Sequence, residues 1–394
     1  MNILVIPSWY PSQKHPLGGI FCREQAEALA AYTDCHIIVA DWGQNDGLLP
    51  LAHPLRSLRA LWWRAGTRRE IRPRNERCFE FFEPTLIWSP SLPGGGNQRI
   101  LQALRRIYRD AVRMLGKIDL IHAHVSYPGG FLASLLAVET GIPYVLTEHW
   151  SQFPGPLVNG RPQSEIEVAI QGAQAVIAVS RPAAEKIKAF GYEHVRVVPN
   201  LVDENHFVLK PMPTGVFRFF SMGGIKLQKG FDVLLRAITE WSPQPGAVEF
   251  IIGGEGERKK ELQTLAESLG IAGLIRWVGA ISRTEATNYF QNCHAFVLPS
   301  RHESFGVVFA EAIACGRPII ATPSGGPEDI VNDVNGFLVP VEDVAALAAA
   351  LARMKEQHSR FDPAAIRADF MNRFSRPVVT AQIRQLYSEV LAQN

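Results

Sequence analysis

Two glutamates, Glu303 and Glu311, stand with seven residues between them in the stretch LPSRHESFGVVFAEAIACGRPIIATPSGGPEDI, residues 298–330. Between them Ser304, Phe305, Gly306, Val307 and Val308 read as a turn that enters a helix of small residues. Gly306 lets a backbone approach a phosphate without a Cβ in the way. The start of the helix offers unpaired N–H groups and the positive end of its dipole, both suited to an anion. Glu311, inside the helix, suits the two hydroxyls of a ribose. Glu303, ahead of the turn, suits the face of a sugar near its anomeric carbon. A buried strand and a Gly-Gly loop ending in Glu328 follow. The set suits a nucleoside diphosphate that carries a sugar.

Such groups need strands and helices to hold them. Short β-rich runs alternate with helical patterns almost throughout. Strands are expected at 2–6, 36–40, 79–87, 120–122, 144–147, 176–179 and 195–198. A second series falls at 217–221, 249–252, 275–278, 295–298, 318–321 and 336–339. Runs such as FVLP and PIIAT are apolar on both faces, as buried parallel strands are. Amphipathic helices lie between them, for instance Arg258–Leu269, so the fold class is α/β with parallel sheets covered on both sides. The alternation breaks at PNLVDENHF, residues 199–207, and again in the Pro-rich stretch 211–214. With 394 residues the chain is too long for one compact core. Two Rossmann-like domains are expected, 1–204 and 205–373. In open α/β sheets ligands sit outside the carboxyl ends of the strands, so two such domains facing each other would enclose a cleft.

The bulk numbers narrow the function classes. Apolar residues at 47% and charged residues at 20% describe a globular chain rather than a disordered one. A formal net charge of +2 implies no global polyanion partner. Five widely spaced cysteines without a C-x-x-C argue against a disulfide framework or a zinc site and for a reducing cytoplasm. The opening MNILVIPSWYP has no basic leader and reads as a first strand. No apolar run is long enough to span a bilayer.

The 298–330 run closely resembles the E-x7-E signature of the retaining GT-B glycosyltransferases, family 4. The resemblance is strong from about 217 to 340 and weaker before. It implies a GT-B fold in which 1–204 is the acceptor domain and 205–373 the nucleotide-sugar donor domain, and a last helix, 374–394, that returns to the first domain. The segment MGGIKLQKGF resembles the family's G-R-L-x-x-x-K-G segment, with Lys229 and Gly230 at the Lys-Gly. Lys229 there neutralises the departing diphosphate. The family's usual arginine is replaced by Gly224, and Lys226 is expected to supply charge from two residues away. IIGGEGERKKEL resembles the family's strand and G-x-G loop, with Glu255 facing the cleft. In WVGAIS the main chain around Gly279 and Ile281 is expected to hold the base.

In the first half, Gly18 and Gly19 precede a helix and match the family's Gly-Gly, which closes over the donor phosphates. Trp9 and Tyr10 suit a sugar face or the core. The resemblance places His124 beside the transferred sugar and leaves His122 to the core. His149, in TEHWS, is expected to touch acceptor or sugar. His122-x-His124 lacks a third ligand at diagnostic spacing, so neither an essential metal nor another cofactor is expected. Eight arginines (Arg56, Arg59, Arg64, Arg68, Arg69, Arg72, Arg74 and Arg77) meet two glutamates, Glu70 and Glu76, a local excess of six positive charges interleaved with Leu58, Leu61, Trp62 and Trp63. A second basic helix carries Arg105, Arg109 and Arg113. That mixture suits peripheral contact with an anionic membrane or a lipid-diphosphate acceptor. A solvated helical face with buried tryptophans is the alternative. No nucleic-acid motif accompanies it.

The resemblance thus implies a metal-independent, retaining transferase with Glu303, His124 and Lys229 as catalytic residues. It would move a hexose from a nucleotide diphosphate sugar to a glycan or lipid-linked acceptor, in bacterial surface polysaccharide assembly at the cytoplasmic side of a membrane. A sugar-nucleotide epimerase, a phosphorylase and a GT-B scaffold without activity are the rivals.

Overall fold

The structure is a computed structural model. It describes residues 1–44, 46–49, 54–88, 96–158 and 160–393, the side chains of Pro54 and Arg56 excepted. The chain divides into two compact units. Unit 1 holds Met1–Val179, Ala184–Leu201 and Val379–Asn394; unit 2 holds Ser180–Ala183 and Val202–Val378.

Unit 1 is built on an eight-stranded sheet. Its strands are β1 (Asn2–Pro7), β2 (His36–Asp41), β3 (Glu70–Asn75), β4 (Cys78–Phe82), β5 (Leu120–His124), β6 (Tyr144–Glu148), β7 (Ala175–Ala178) and β8 (Val195–Val197). Their order is β8-β7-β6-β5-β1-β2-β4-β3. All pairs are parallel except β3 on β4. Sequence order therefore reverses between β1 and β5, and a ligand crevice is expected at the carboxyl ends of those two strands. The helices that matter here are α1 (Ile20–Tyr32), α2 (Pro54–Gly66) and α3 (Asn97–Leu115).

Unit 2 repeats the plan with six parallel strands: β9 (Phe217–Met222), β10 (Val248–Gly253), β11 (Ile275–Gly279), β12 (Ala295–Leu298), β13 (Ile319–Ala321) and β14 (Gly336–Leu338). The order β11-β10-β9-β12-β13-β14 puts its reversal between β9 and β12. Helices α4 (Phe231–Trp241) and α5 (Val307–Ala314) follow the loops that leave those two strands. The helix Arg283–Asn292 begins in a capping box, Ser282 and Glu285 each bonding the other's backbone N–H.

The last helix, α6 (Arg376–Ala392), buries Val379, Ile383, Leu386, Tyr387 and Val390 in one cluster with Ile3, Val5, Leu29, Ile37 and Val145 of unit 1. All five cysteines are free and buried.

The strand expected at 79–87 stops at Phe82, and Ile87–Trp88 instead pairs with Leu48–Leu49 in a separate two-stranded ribbon. The arginine-rich segment is not one helix. It is helix α2 followed by the edge strand β3, whose Pro73 is tolerated because it sits at a sheet edge. Its charge is also less than the count implies. Arg69 pairs with Glu83 and Asp110, Arg72 with Glu70 and Glu80, and Arg74 with Glu27. The Arg56 side chain lies outside the described residues.

Candidate active site

In unit 2 the loops leaving β9 and β12 meet at the reversal point. Lys229 closes a short 3-10 turn, Leu227–Lys229, beyond β9, and Gly230 then adopts a left-handed conformation to start α4. A side chain at Gly230 would run into the Pro299 carbonyl at 1.9 Å, so only glycine lets these two loops cross. The crossing brings Lys229 Nζ within 2.6 Å of Glu303 Oε1. Ser300 Oγ donates to the same oxygen at 2.8 Å, and Ser300 is fully buried. Glu303 is itself 8% exposed. Lys229 is a quarter exposed, so the pair is only half-buried, and deleting one partner costs less than the about 3–5 kcal/mol of a fully buried pair. The backbone is held as tightly: Glu303 bridges in parallel to Gly325, its N–H donates to Ser324 O, and Glu328 caps the Gly325 N–H. Cβ atoms at Gly325 and Gly326 would lie 2.1 Å from the Glu303 carbonyl oxygen and the Phe305 Cα.

Gly306, with φ at 83°, opens α5, and no side chain caps that helix. Val307 and Val308, its first two residues, present the N–H groups that a helix cannot satisfy internally. Phe305 is buried and Ser304 accepts from Ser180 through its carbonyl. Glu311 lies one turn in, 7% exposed, and burial pushes its carboxyl up to about 7, with Arg283 opposing. Lys226 and Gly224 are exposed. Gly254 accommodates Gly223 O at 1.9 Å from where its Cβ would be. Glu255 pairs with Lys259 at 2.7 Å, close to Gly279, and Ile281 packs over Gly253.

Sequence reasoning missed Ser300, because a lone serine three residues before a glutamate carries no signal. It also missed a cation-carboxylate network under the same loops. Asp232, on α4, receives both Arg301 nitrogens at 2.9 Å, and Arg301 also donates to the Leu227 carbonyl at 2.7 Å.

In unit 1 the equivalent edge carries histidines. His124 ends β5 and His149 follows β6; His124 Nδ1 and His149 Nε2 are 3.0 Å apart. His122 stacks on His124 at 4.3 Å and is anchored by Tyr387 and Thr147 at 2.5 and 2.7 Å. Burial pushes all three imidazoles down, His124 to about 3, so the stack is neutral at ordinary pH. Val125, immediately after His124, is forced to φ 67°, a strained conformation for a β-branched residue of the kind that clusters at functional sites. The buried Glu148 carboxylate receives the N–H groups of Ser126, His149 and Trp150. After β1, Gly19 caps α1 in a left-handed conformation, and a side chain there would meet Trp9 O at 2.2 Å. Gly18 donates to His15 O. Trp9 is partly exposed. Tyr10 is 2% exposed, its hydroxyl donates to Glu80 at 3.1 Å, and it forms part of the wall of a pocket in unit 1.

The family described as Glycosyl transferases group 1 matches residues 203–367, and Glycosyltransferase Family 4 matches 19–206. The chain belongs to the group 1 glycosyltransferases. Relatives of this glycosyltransferase include the putative teichuronic acid biosynthesis glycosyltransferase TuaC of Bacillus subtilis, 26% identical over 91% of this chain and 90% of that protein. A D-inositol 3-phosphate glycosyltransferase of Xylanimonas cellulosilytica is 29% identical over 64% of this chain and 67% of that protein. Among solved structures, Anabaena HepE in complex with UDP-glucose matches with a TM-score of 0.69 and 21% identity, over 99% of this chain and all of that one. That likeness carries the GT-B fold to the glycosyltransferase described here.

Proposed function

We propose that this glycosyltransferase moves a hexose from a nucleoside diphosphate sugar to a hydroxyl of a glycan or lipid-linked acceptor, with retention of configuration and without a metal ion. The observation that carries the donor half is the Lys229–Glu303 pair beside the uncapped start of α5. HepE, which shares the fold, was solved with UDP-glucose. Glu311 takes the ribose diol, and the Val307 and Val308 N–H groups with Lys229 take the diphosphate as charge develops on it. Glu303 orients the sugar, and His124 contacts it as a neutral hydrogen-bonding group. The C1–O bond to phosphate breaks as the acceptor oxygen bonds C1 on the same face, and the acceptor proton passes to the departing phosphate oxygen. A role in surface polysaccharide assembly follows the name of the TuaC relative.

The lipid-linked form of the acceptor draws support from α2. Leu55, Leu58, Leu61 and Trp62 are 74, 60, 47 and 83% exposed, a stripe at helical spacing, with Arg59 and Arg64 exposed on the same helix. No helix among the described residues is long and apolar enough to cross a membrane. The contact proposed through α2 is peripheral, on the cytoplasmic side.

Thermal unfolding with UDP, GDP, ADP and dTDP in EDTA tests the donor half. A nucleotide at about 100 times its Kd adds roughly 2.7 kcal/mol; no shift with any of the four would overturn it. Proton NMR of the product made from an α-linked donor tests retention, and a β-linked product refutes it. Co-sedimentation with phosphatidylglycerol vesicles, lost in Trp62→Glu, tests the membrane contact.

A further inference from the structure

Unit 1 holds a pocket of about 580 Å³ whose wall includes Tyr10 and which the donor reading does not use. It opens on the same carboxyl edge of the sheet as His124, between the loop after β1, the loop after β2 and the end of α2. Its volume lies within the range of small-molecule sites. Strands β5, β1 and β2 are neighbours, so the pocket stands two strand spacings from the histidines, roughly 10 Å.

Its polar groups select a ligand chemistry. The Gln44 Nε2 donates to the Pro7 and Ala40 carbonyls, both at 3.2 Å. Those two acceptors fix the amide's orientation, because turning it would set oxygen against oxygen. Gln44 Oε1 is therefore the end left over, and it is buried with no hydrogen-bond partner. Asp46 Oδ1 is likewise buried and has no hydrogen-bond partner; its side chain is 8% exposed, and it pairs with Lys14 Nζ only at 3.9 Å, beyond hydrogen-bond reach. Asp41, also in the wall, accepts the Gly43 N–H. Buried polar atoms of this kind are few in native proteins and call for an explanation. Both orphans are acceptors, so a fitting ligand must bring donors. A phosphate brings only acceptors and would also face the Asp41 and Asp46 carboxylates. Of the three cations in the wall, Arg72 is engaged by Glu70 and Glu80, Lys14 stands against Asp46, and Arg68 is exposed; none of them supplies what the two orphaned acceptors lack. Hydroxyl groups meet the need. Trp63 supplies the complementary surface: its indole is partly exposed and wedged on Gly43, where a Cβ would lie 2.4 Å from the ring. Aromatic walls of this kind take the C–H face of a sugar.

We propose that this pocket is the subsite for an uncharged sugar residue of the acceptor, held by Gln44 Oε1 and Asp46 Oδ1 through its hydroxyls and by Trp63 along its face. The proposal rests on the acceptor being a glycan. It joins the two faces of α2, whose Trp62 points to solvent while Trp63 lines the pocket. A glycan borne on a lipid would thus meet both.

The test is saturation-transfer NMR on the full chain with saturating UDP. The probes are the methyl glycosides of glucose, galactose, mannose and N-acetylglucosamine, with glycerol 3-phosphate as the anionic probe. At least one glycoside should take up saturation from the wild type and bind about tenfold more weakly, or not at all, to Asp46→Ala and Gln44→Leu, the loss set by one or two hydrogen bonds to buried acceptors. The UDP-induced thermal shift, read on the same samples, should be unchanged in both variants. The proposal is overturned if no glycoside binds a wild type that binds UDP. It is also overturned if binding survives both substitutions, or if glycerol 3-phosphate gives the signal the variants lose. Failure of UDP to bind would fall on the donor reading alone, because the glycoside signal is read independently.

Discussion

The two units solve the same topological problem with opposite chemistry. Each gathers its candidate groups at the carboxyl edge of its sheet around the point where sequence order reverses, between β9 and β12 in unit 2, and around β1 and β5, reaching to β2 and β6, in unit 1. In unit 2 that position is charged: Lys229, Glu303 and an uncapped helix start lie together. In unit 1 it is neutral: three stacked imidazoles, stripped of charge by burial, next to a pocket whose unmatched atoms are hydroxyl acceptors. The fold therefore fixes where a ligand sits, and the side chains at the loop ends fix its chemistry. A diphosphate needs the first arrangement, and a sugar the second.

The comparison breaks most readily at the ion pair. Glu303→Gln should lower kcat by about 10²–10³-fold, in the range for losing one preorganised electrostatic group, with nucleotide affinity little changed. Lys229→Met should lose as much rate. It should also lower Tm, since it leaves Glu303 buried with Ser300 alone. Steady-state kinetics beside thermal unfolding separates the two effects. Full turnover by Glu303→Gln would remove Glu303 from the chemistry.

Glu311 sharpens the contrast through pH. Its carboxyl titrates near 7 in the folded chain and near 4.3 unfolded, so the folded state keeps the proton to higher pH. Stability from this group is complete below about pH 4.3 and is lost as pH rises through about 7, a fall of about 3–4 kcal/mol. The nucleotide-free Glu311→Gln variant should therefore gain on the wild type at pH 8 and match it near pH 4.5, read from urea midpoints. Nucleotide binding runs the other way. A ribose donates to the ionised carboxylate, so wild-type affinity should rise through pH 7. The variant should show a flat profile and bind about 10–100-fold more weakly at pH 8. A wild-type profile as flat as the variant's would place the diol elsewhere.

How much of this the sequence disclosed depended on whether the signal was local. Glu303, Glu311, Lys229 and the β/α alternation are written in contiguous runs, and the runs were legible. The Lys229–Glu303 contact joins loops 74 residues apart, and only the glycine at 230 hints that they cross. The strand Glu70–Asn75 was hidden because EIRPRN, at an exposed edge, carries no apolar alternation. The arginine excess was overstated because its counter-charges, Glu27, Glu83 and Asp110, arrive from other elements. Tyr10 was open to either reading, and its burial against Glu80 in the wall of a pocket appears only in three dimensions. The pocket beside Trp63 has no sequence signature, since orphaned acceptors exist only in three dimensions.

On the neutral side, His124→Ala should slow turnover about tenfold, the size expected for one hydrogen bond between uncharged partners. Because burial holds the imidazole near 3, the wild-type rate should show no limb near pH 6.5 that disappears in the variant. A limb that did disappear would mean that His124 carries charge in the complex, and that unit 1 shares the electrostatic character of unit 2.

The smallest effect concerns the one cation that unit 2 lacks by comparison with the family pattern. Gly224 is exposed, and a Cβ built on it meets nothing within 4 Å, so Gly224→Arg should be accommodated without strain. A new guanidinium beside the diphosphate contributes about 1 kcal/mol at an exposed position, which predicts nucleoside diphosphate binding tighter by several-fold in calorimetry. The gain should shrink as salt rises, because an exposed cation is screened over about 10 Å at 0.1 M. Unchanged binding would mean that Lys226, exposed two residues on, already fills the place. The double variant Gly224→Arg with Lys226→Ala would then bind as the wild type does, while Lys226→Ala alone would not.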